Sequence, residues 1–178
     1  MQGHPVLRSI VVLLGLLMAA PASSNTLSSN VMAQVRSPEK IGEAQVRFLG
    51  FRVYSAALFT QQGRAFNWKR PFALTLDYDR SFSKKRLIDA SISEMERMEG
   101  DRPDHAAIAA KLENCFRSVK ASDRFTATAT SRNSVNFYFN GRQTCKISHA
   151  GIRERLLGIW LSDQSRDKSL SRRLRGMN

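Results

Sequence analysis

Val135-Asn136-Phe137-Tyr138-Phe139-Asn140-Gly141 is the stretch that decides the fold. Val135, Phe137 and Phe139 alternate with Asn136 and Tyr138, the period of a strand with one buried face. Asn140-Gly141 then supplies the two positive-φ residues of a tight type I′ hairpin. The return strand runs from Arg142 to Ile147 and leads into a helical stretch ending in Gly158-Ile159-Trp160-Leu161. A hairpin with a helix laid against it is a strong fold signal and a poor signal of chemistry.

Upstream, Phe125, Ala127 and Ala129 alternate with Thr126, Thr128 and Thr130 as the preceding strand. Before it, Ile108, Leu112, Cys115, Phe116 and Val119 form a helical stripe, with Pro103 suited to the first helical position. Ser83 caps an earlier helix to about Met98, with Ile88, Ile92 and Met95 on one face. Its first turn carries Lys84, Lys85 and Arg86 against the macrodipole, at a few tenths of a kcal/mol per exposed charge. Phe72, Leu74, Leu76 and Tyr78 alternate as a strand. Gln45–Phe48 and Phe51–Thr60 read as strands bent at Leu49-Gly50, with Arg52, Tyr54, Ala56 and Leu58 sharing one face of the second. Past Leu161, Asp163 is the candidate cap of a last helix holding Leu170 and Leu174. The tail from Arg166 onward, with five basic residues and one acid, reads as a solvated face.

The N-terminus is read separately. Arg8, the apolar run Ile10–Met18 and the small residues of Ala20-Pro21-Ala22 have the layout of a signal peptide over residues 1–22. The run is too short for a comfortable membrane span, and no Cys follows Ala22 to take a lipid. The sequence therefore predicts an exported protein, periplasmic or secreted after cleavage near Ala22. Residues 23–40, rich in Ser, Asn, Thr and Ala, read as a flexible leader. Residues 41–178 make one domain. The charge of +13 favours acidic partners such as an anionic lipid surface, and export argues against nucleic acid. The expected protein is a monomer.

The element order, with Gly50-Phe51-Arg52-Val53-Tyr54-Ser55-Ala56-Ala57-Leu58-Phe59 and Phe72-Ala73-Leu74-Thr75-Leu76-Asp77-Tyr78, resembles the chalcone isomerase-like family in its small exported bacterial form. Glu94-Met95, Asp123-Arg124-Phe125, Phe137-Tyr138-Phe139-Asn140-Gly141 and Gly158-Ile159-Trp160-Leu161 extend the resemblance over residues 41–176. It implies an α+β fold, an open-faced β-sandwich whose antiparallel sheet carries helices on one face, with a cleft between sheet and helices. In the plant enzymes of that family the cleft cyclises chalcones. An Arg stabilises the phenolate nucleophile, a Thr and a Tyr order a water near the ketone, and an Asn and a second Thr hold the far ring. Carried onto this chain, the Arg falls near Gly42, the strand Thr at Tyr54, and the Tyr at Ala106-Ala107 beside His105. The Asn falls at Asn114 and the second Thr near Arg155. Only Asn114 keeps the residue type, and the cation that would favour the nucleophile's charged form is missing.

Other chemistry finds little support. His105 and His149 stand apart without ligand-like spacing, so no metal or cofactor is expected, and each reads as a surface or supporting residue. No phosphate loop or serine-hydrolase elbow appears. Asp77 and Asp79 flank Tyr78 as a conceivable carboxylate pair. Cys115 and Cys145 are candidates for a bridge after export, with pairing left open. The reading leans away from an enzyme, with no catalytic residue assigned. It points to a binding protein that holds an apolar or fatty-acid-like ligand in the cleft. Arg52, Tyr54, Asn114 and Arg155 are the candidate binding residues, the arginines as carboxylate partners. Two alternatives are an intramolecular lyase or isomerase on an unknown substrate, and a basic envelope protein acting through its surface and tail.

Overall fold

Positive-φ pairs close the two hairpins that frame the sheet. Asn140 (φ 48°) and Gly141 (φ 80°) join strands β5 (Ser134–Phe139) and β6 (Arg142–Ser148). Leu49 (φ 49°) and Gly50 (φ 79°) join β1 (Pro38–Phe48) and β2 (Phe51–Gln61). With β3 (Phe72–Tyr78) and β4 (Arg124–Ser131), these strands form a six-stranded sheet in the order of the sequence. Every neighbouring pair is antiparallel. The computed structural model describes residues 27–177, so the predicted signal peptide lies outside the described residues.

Strand alternation becomes continuous rows across the sheet. Leu58 pairs with Leu74, Leu74 with Ala127, Ala127 with Phe137 and Phe137 with Cys145. A parallel row joins Ala44, Ala56, Leu76, Phe125 and Phe139. Both rows face the main core, formed with helices α2 (Lys84–Glu99), α3 (His105–Cys115), α4 (Ile152–Leu161) and α5 (Lys168–Leu174). Small residues recur within these rows, which matters for the cavity below.

The predicted helix starts hold in part. The Ser83 side chain accepts from the Arg86 amide, capping α2 as its position suggests. Asp104, not the residue before Pro103, precedes α3. The last helix is capped by Asp167, whose side chain accepts from the Leu170 amide, and Asp163 instead pairs with Arg175. The tail is accordingly packed as well as charged: Leu170 and Leu174 are buried. At Gly42 of β1 a Cβ would collide with the carbonyl oxygens of Arg173 and Leu174, so only glycine lets the end of α5 approach this strand.

The flexible-leader expectation for residues 23–40 fails from Leu27 onward. Helix α1 (Ser29–Gln34) lies on the sheet face opposite the other helices, where Leu27, Val31 and Val35 pack against Ala57, Phe59, Ala73 and Tyr138. Gln34 fixes it there through hydrogen bonds with Tyr138, Thr128 and Asn136. Val31 is the buried residue of the helix, and Leu27 and Val35 flank it on either side, so the short helix and its two ends are buried together. Among the described residues no helix is long and apolar enough to cross a membrane.

Cys115, at the end of α3, is bonded to Cys145 of β6, with Cα atoms 5.0 Å apart. The bridge ties the helix layer to the edge of the sheet. Closing a loop of about thirty residues stabilises a chain by roughly 3.5 kcal/mol in the chain-entropy model, less any strain. Urea unfolding of the Cys115→Ala/Cys145→Ala double variant should show a loss of about 3 kcal/mol. An unchanged midpoint would mean that the unfolded chain gains no freedom from cutting the bridge.

Candidate functional site

Small residues on the sheet leave space that the helices do not fill. Ala127 sits between Leu74 and Phe137 in the helix-facing row, while α2 and α4 contribute Leu87, Ser91, Leu157 and Trp160 from above. The result is a cavity of about 180 Å³ with almost wholly apolar walls. At liquid packing, that is room for roughly six non-hydrogen atoms. None of the described lining residues is Lys or Arg.

One side of the cavity is polar. Trp160 donates its indole N–H to the Tyr54 hydroxyl at 2.8 Å, and the rings of Tyr54 and Tyr78 lie 5.6 Å apart. Burial pushes the Tyr54 phenol up to about 12, against the Trp160 hydrogen bond. Burial, reinforced by Tyr54, raises Tyr78 as well. Both phenols therefore stay protonated at neutral pH, and no partner of the Tyr78 hydroxyl appears among the described residues. Glu94 completes the polar side. Burial pushes its carboxyl up, but hydrogen bonds from Arg166 and Arg97 outweigh this and hold it below the usual range. The cavity thus offers hydroxyl donors beside an anion whose cations stand behind it.

Of the four candidate binding residues, Tyr54 alone lines this cavity. Arg52 stands at the β1–β2 tip with its side chain 55% exposed, reaching Asp79 at 3.4 Å. The alternation that placed it beside Tyr54 is interrupted there, because Val46 pairs with Tyr54 and Arg47 with Arg52, skipping Val53. Asn114 is exposed near the end of α3, and its carbonyl accepts from Arg117. Arg155 is fully engaged elsewhere. Its guanidinium donates to Glu99 at 2.7 Å and to Asp104 at 2.7 Å, so it has no face left for a ligand carboxylate. Gly42, near which the resemblance puts the nucleophile-stabilising Arg, lies under α5 and takes no side chain.

The histidines support that ion cluster. His105, only 4% exposed, bonds Glu99 at 2.8 Å, and His149 bonds Asp104 at 2.8 Å. The expectation that neither has ligand-like neighbours is corrected for His105. Glu96, Asp101 and His105 hold donor atoms within 4.8 Å of one another, although the Arg102 amide already points at His105 Nδ1. Asp77 and Asp79 do not form a carboxylate pair, since Arg124 takes the first and Arg52 the second. Sequence reasoning assigned no role in binding to Tyr78, Ser91, Glu94, Ala127 or Trp160. Tyr78, Glu94 and Trp160 stand within stretches already conspicuous in the sequence, and Ala127 is visible only as a small residue in an alternating strand.

Residues 44–176 match a family model described as chalcone isomerase-like. Among solved structures, a fatty-acid binding protein of Arabidopsis thaliana superposes with a TM-score of 0.61 at 9% identity, covering 79% of this chain and 88% of that one. This likeness concerns the fold. No curated protein matches the chain.

The Arg155 cluster has a pH signature. Burial raises the Glu99 carboxyl, but Arg155 and His105 outweigh it and hold it below 4.5. Hydrogen bonds from Arg155 and His149 hold Asp104 well below its usual range. Carboxyls lowered in the folded state stabilise it above their unfolded values, and that contribution is lost as pH falls through the folded ones. Arg155→Met should cost about 2 kcal/mol at neutral pH, most of it from Glu99 left without its guanidinium. Its stability should then fall less steeply than the wild type's below about pH 4. Denaturant melts across pH check both, and identical acid slopes would exclude the cluster as the source.

Proposed function

The chain belongs to the chalcone isomerase-like family, and from that membership and the cavity we propose that it is a non-catalytic binding protein for an apolar small molecule. The carrying observation is an apolar cavity, walled by Leu74, Ala127, Phe137 and Leu157, with no cation in its lining. The resemblance to the plant enzymes puts their nucleophile-stabilising Arg near Gly42, and Gly42 is packed beneath α5 with no room for a side chain. The fatty-acid binding protein of similar fold is a precedent for an aliphatic occupant. Export through the predicted signal peptide belongs to this reading, and the Cys115–Cys145 bridge suits an oxidising compartment.

The polar side refines the ligand. A free carboxylate would meet Glu94, whereas an uncharged oxygen would accept from the Tyr78 hydroxyl and from the hydroxyl proton of Tyr54, whose oxygen accepts from Trp160. The ligand is therefore an aliphatic or aromatic body with an uncharged oxygen at one end, such as an alcohol, an ester or a protonated acid. Six buried methylenes at about 0.8 kcal/mol each supply about 5 kcal/mol before the cost of association. A longer chain must push α2 and α4 apart or leave its end outside.

Native mass spectrometry of protein purified from its own source should reveal a co-purifying small molecule. Ala127→Leu, which fills the cavity from its floor, should lose that molecule while keeping or raising the melting temperature. Added decanol should bind the wild type more tightly than decanoate at pH 8, and lowering the pH should narrow the gap. Retention of the molecule by Ala127→Leu would place it elsewhere. Flavanone formation from a chalcone by the wild type would establish the enzyme reading instead.

A further inference from the structure

We propose that the β1–β2 hairpin docks the protein on an anionic lipid bilayer, inserting Phe48, Leu49 and Phe51 between Arg47, Arg52 and Arg80. Among the described residues five large apolar side chains are exposed, and three of them stand on this one turn: Phe48 at 64%, Leu49 at 80% and Phe51 at 60%. Apolar side chains scattered singly need no explanation, but a contiguous group does. The two-residue turn at Leu49-Gly50 makes the group a convex tip. A convex apolar tip needs a matching pocket on a protein, whereas a bilayer deforms around it.

The cations around the tip fit the same partner. The Arg80 guanidinium lies 4.6 Å from the centre of the Phe51 ring and donates to the Arg52 carbonyl at 3.1 Å. Arg47 donates to the Gly50 carbonyl at 3.2 Å. Arg47, Arg52 and Arg80 border a shallow depression at the base of the tip. Asp79, beside it, is the one acid there and offsets only one of the three. Apolar side chains at the end and arginines set back by one residue match the order of acyl chain and phosphate at a membrane surface. The C-terminal tail fits this role less well than its composition suggests, because Arg166 and Arg175 are paired with Glu94 and Asp163. Tyr54 follows Phe51 by three residues along β2, a rise of about 10 Å, so docking would hold the polar side of the cavity near the headgroups.

The test follows the tip itself, in the full chain, so that binding by any other segment is not mistaken for it. An environment-sensitive dye is attached at Leu49→Cys, and at Ala65→Cys, an exposed position at the far end of β2; the bridged Cys115 and Cys145 do not react. On vesicles of phosphatidylcholine and phosphatidylglycerol at about 2:1, the dye at position 49 should shift to the blue and the dye at 65 should not. Sedimentation with those vesicles should weaken at least about 50-fold when Phe48, Leu49 and Phe51 become Ser. It should weaken about 25-fold in Arg47→Gln/Arg52→Gln, about fivefold per charge. The proposal is overturned if the protein fails to sediment, or sediments with position 49 still in water. It is also overturned by equal binding to pure phosphatidylcholine. A blue shift without vesicles at rising protein concentration would assign the tip to a second copy of the chain and overturn it too.

Discussion

The Arg155 guanidinium holds the helix layer in place, and the cavity beneath depends on that layer. It comes from α4 and joins Glu99 at the end of α2 to Asp104 at the start of α3, while His105 and His149 close the cluster from either side. A planar cation with several fixed donors is suited to such a junction, because it can serve two carboxylates in set directions. The disulfide adds a second anchor from α3 to β6. With three helices tied at their ends, the layer is not free to collapse onto the small residues of the sheet. Ala127 therefore leaves space, and the space remains.

Gly42 admits the end of α5, and Arg155 is consumed by the helix junction. Tyr54 brings a hydroxyl to the cavity, and that hydroxyl accepts from the Trp160 indole N–H. An apolar chamber with neutral hydroxyl donors is suited to holding a molecule and poorly equipped to develop charge on it.

The sequence carried most of the fold and little of the site. Asn140-Gly141, Leu49-Gly50, the Ser83 cap and the alternation of Phe72 to Tyr78 are local signals, and each appears where the pattern puts it. The apolar residues Leu27, Val31 and Val35 in and around α1 are equally local, but a Ser- and Asn-rich background hides them. The ion cluster that takes Arg155 is not legible in the sequence, because its partners lie 51 and 56 residues away and no spacing rule links an arginine to carboxylates at that range. Arg52 does not share the face of Tyr54, because a single skipped residue at Val53 breaks the period on which face assignment rests. Tyr54 lies on the regular side of that irregularity, and its face follows from the alternation with Ala56 and Leu58.

The proposed ligand site is the space between Ala127 and α4. Intermolecular nuclear Overhauser effects between unlabelled decanol and isotope-labelled protein test it most directly. Contacts are expected from the alkyl protons to Ala127, Leu74 and Leu157, with the hydroxyl end near Tyr54 and Tyr78. Contacts confined to the Phe48–Phe51 tip, or to no defined residues, would contradict it.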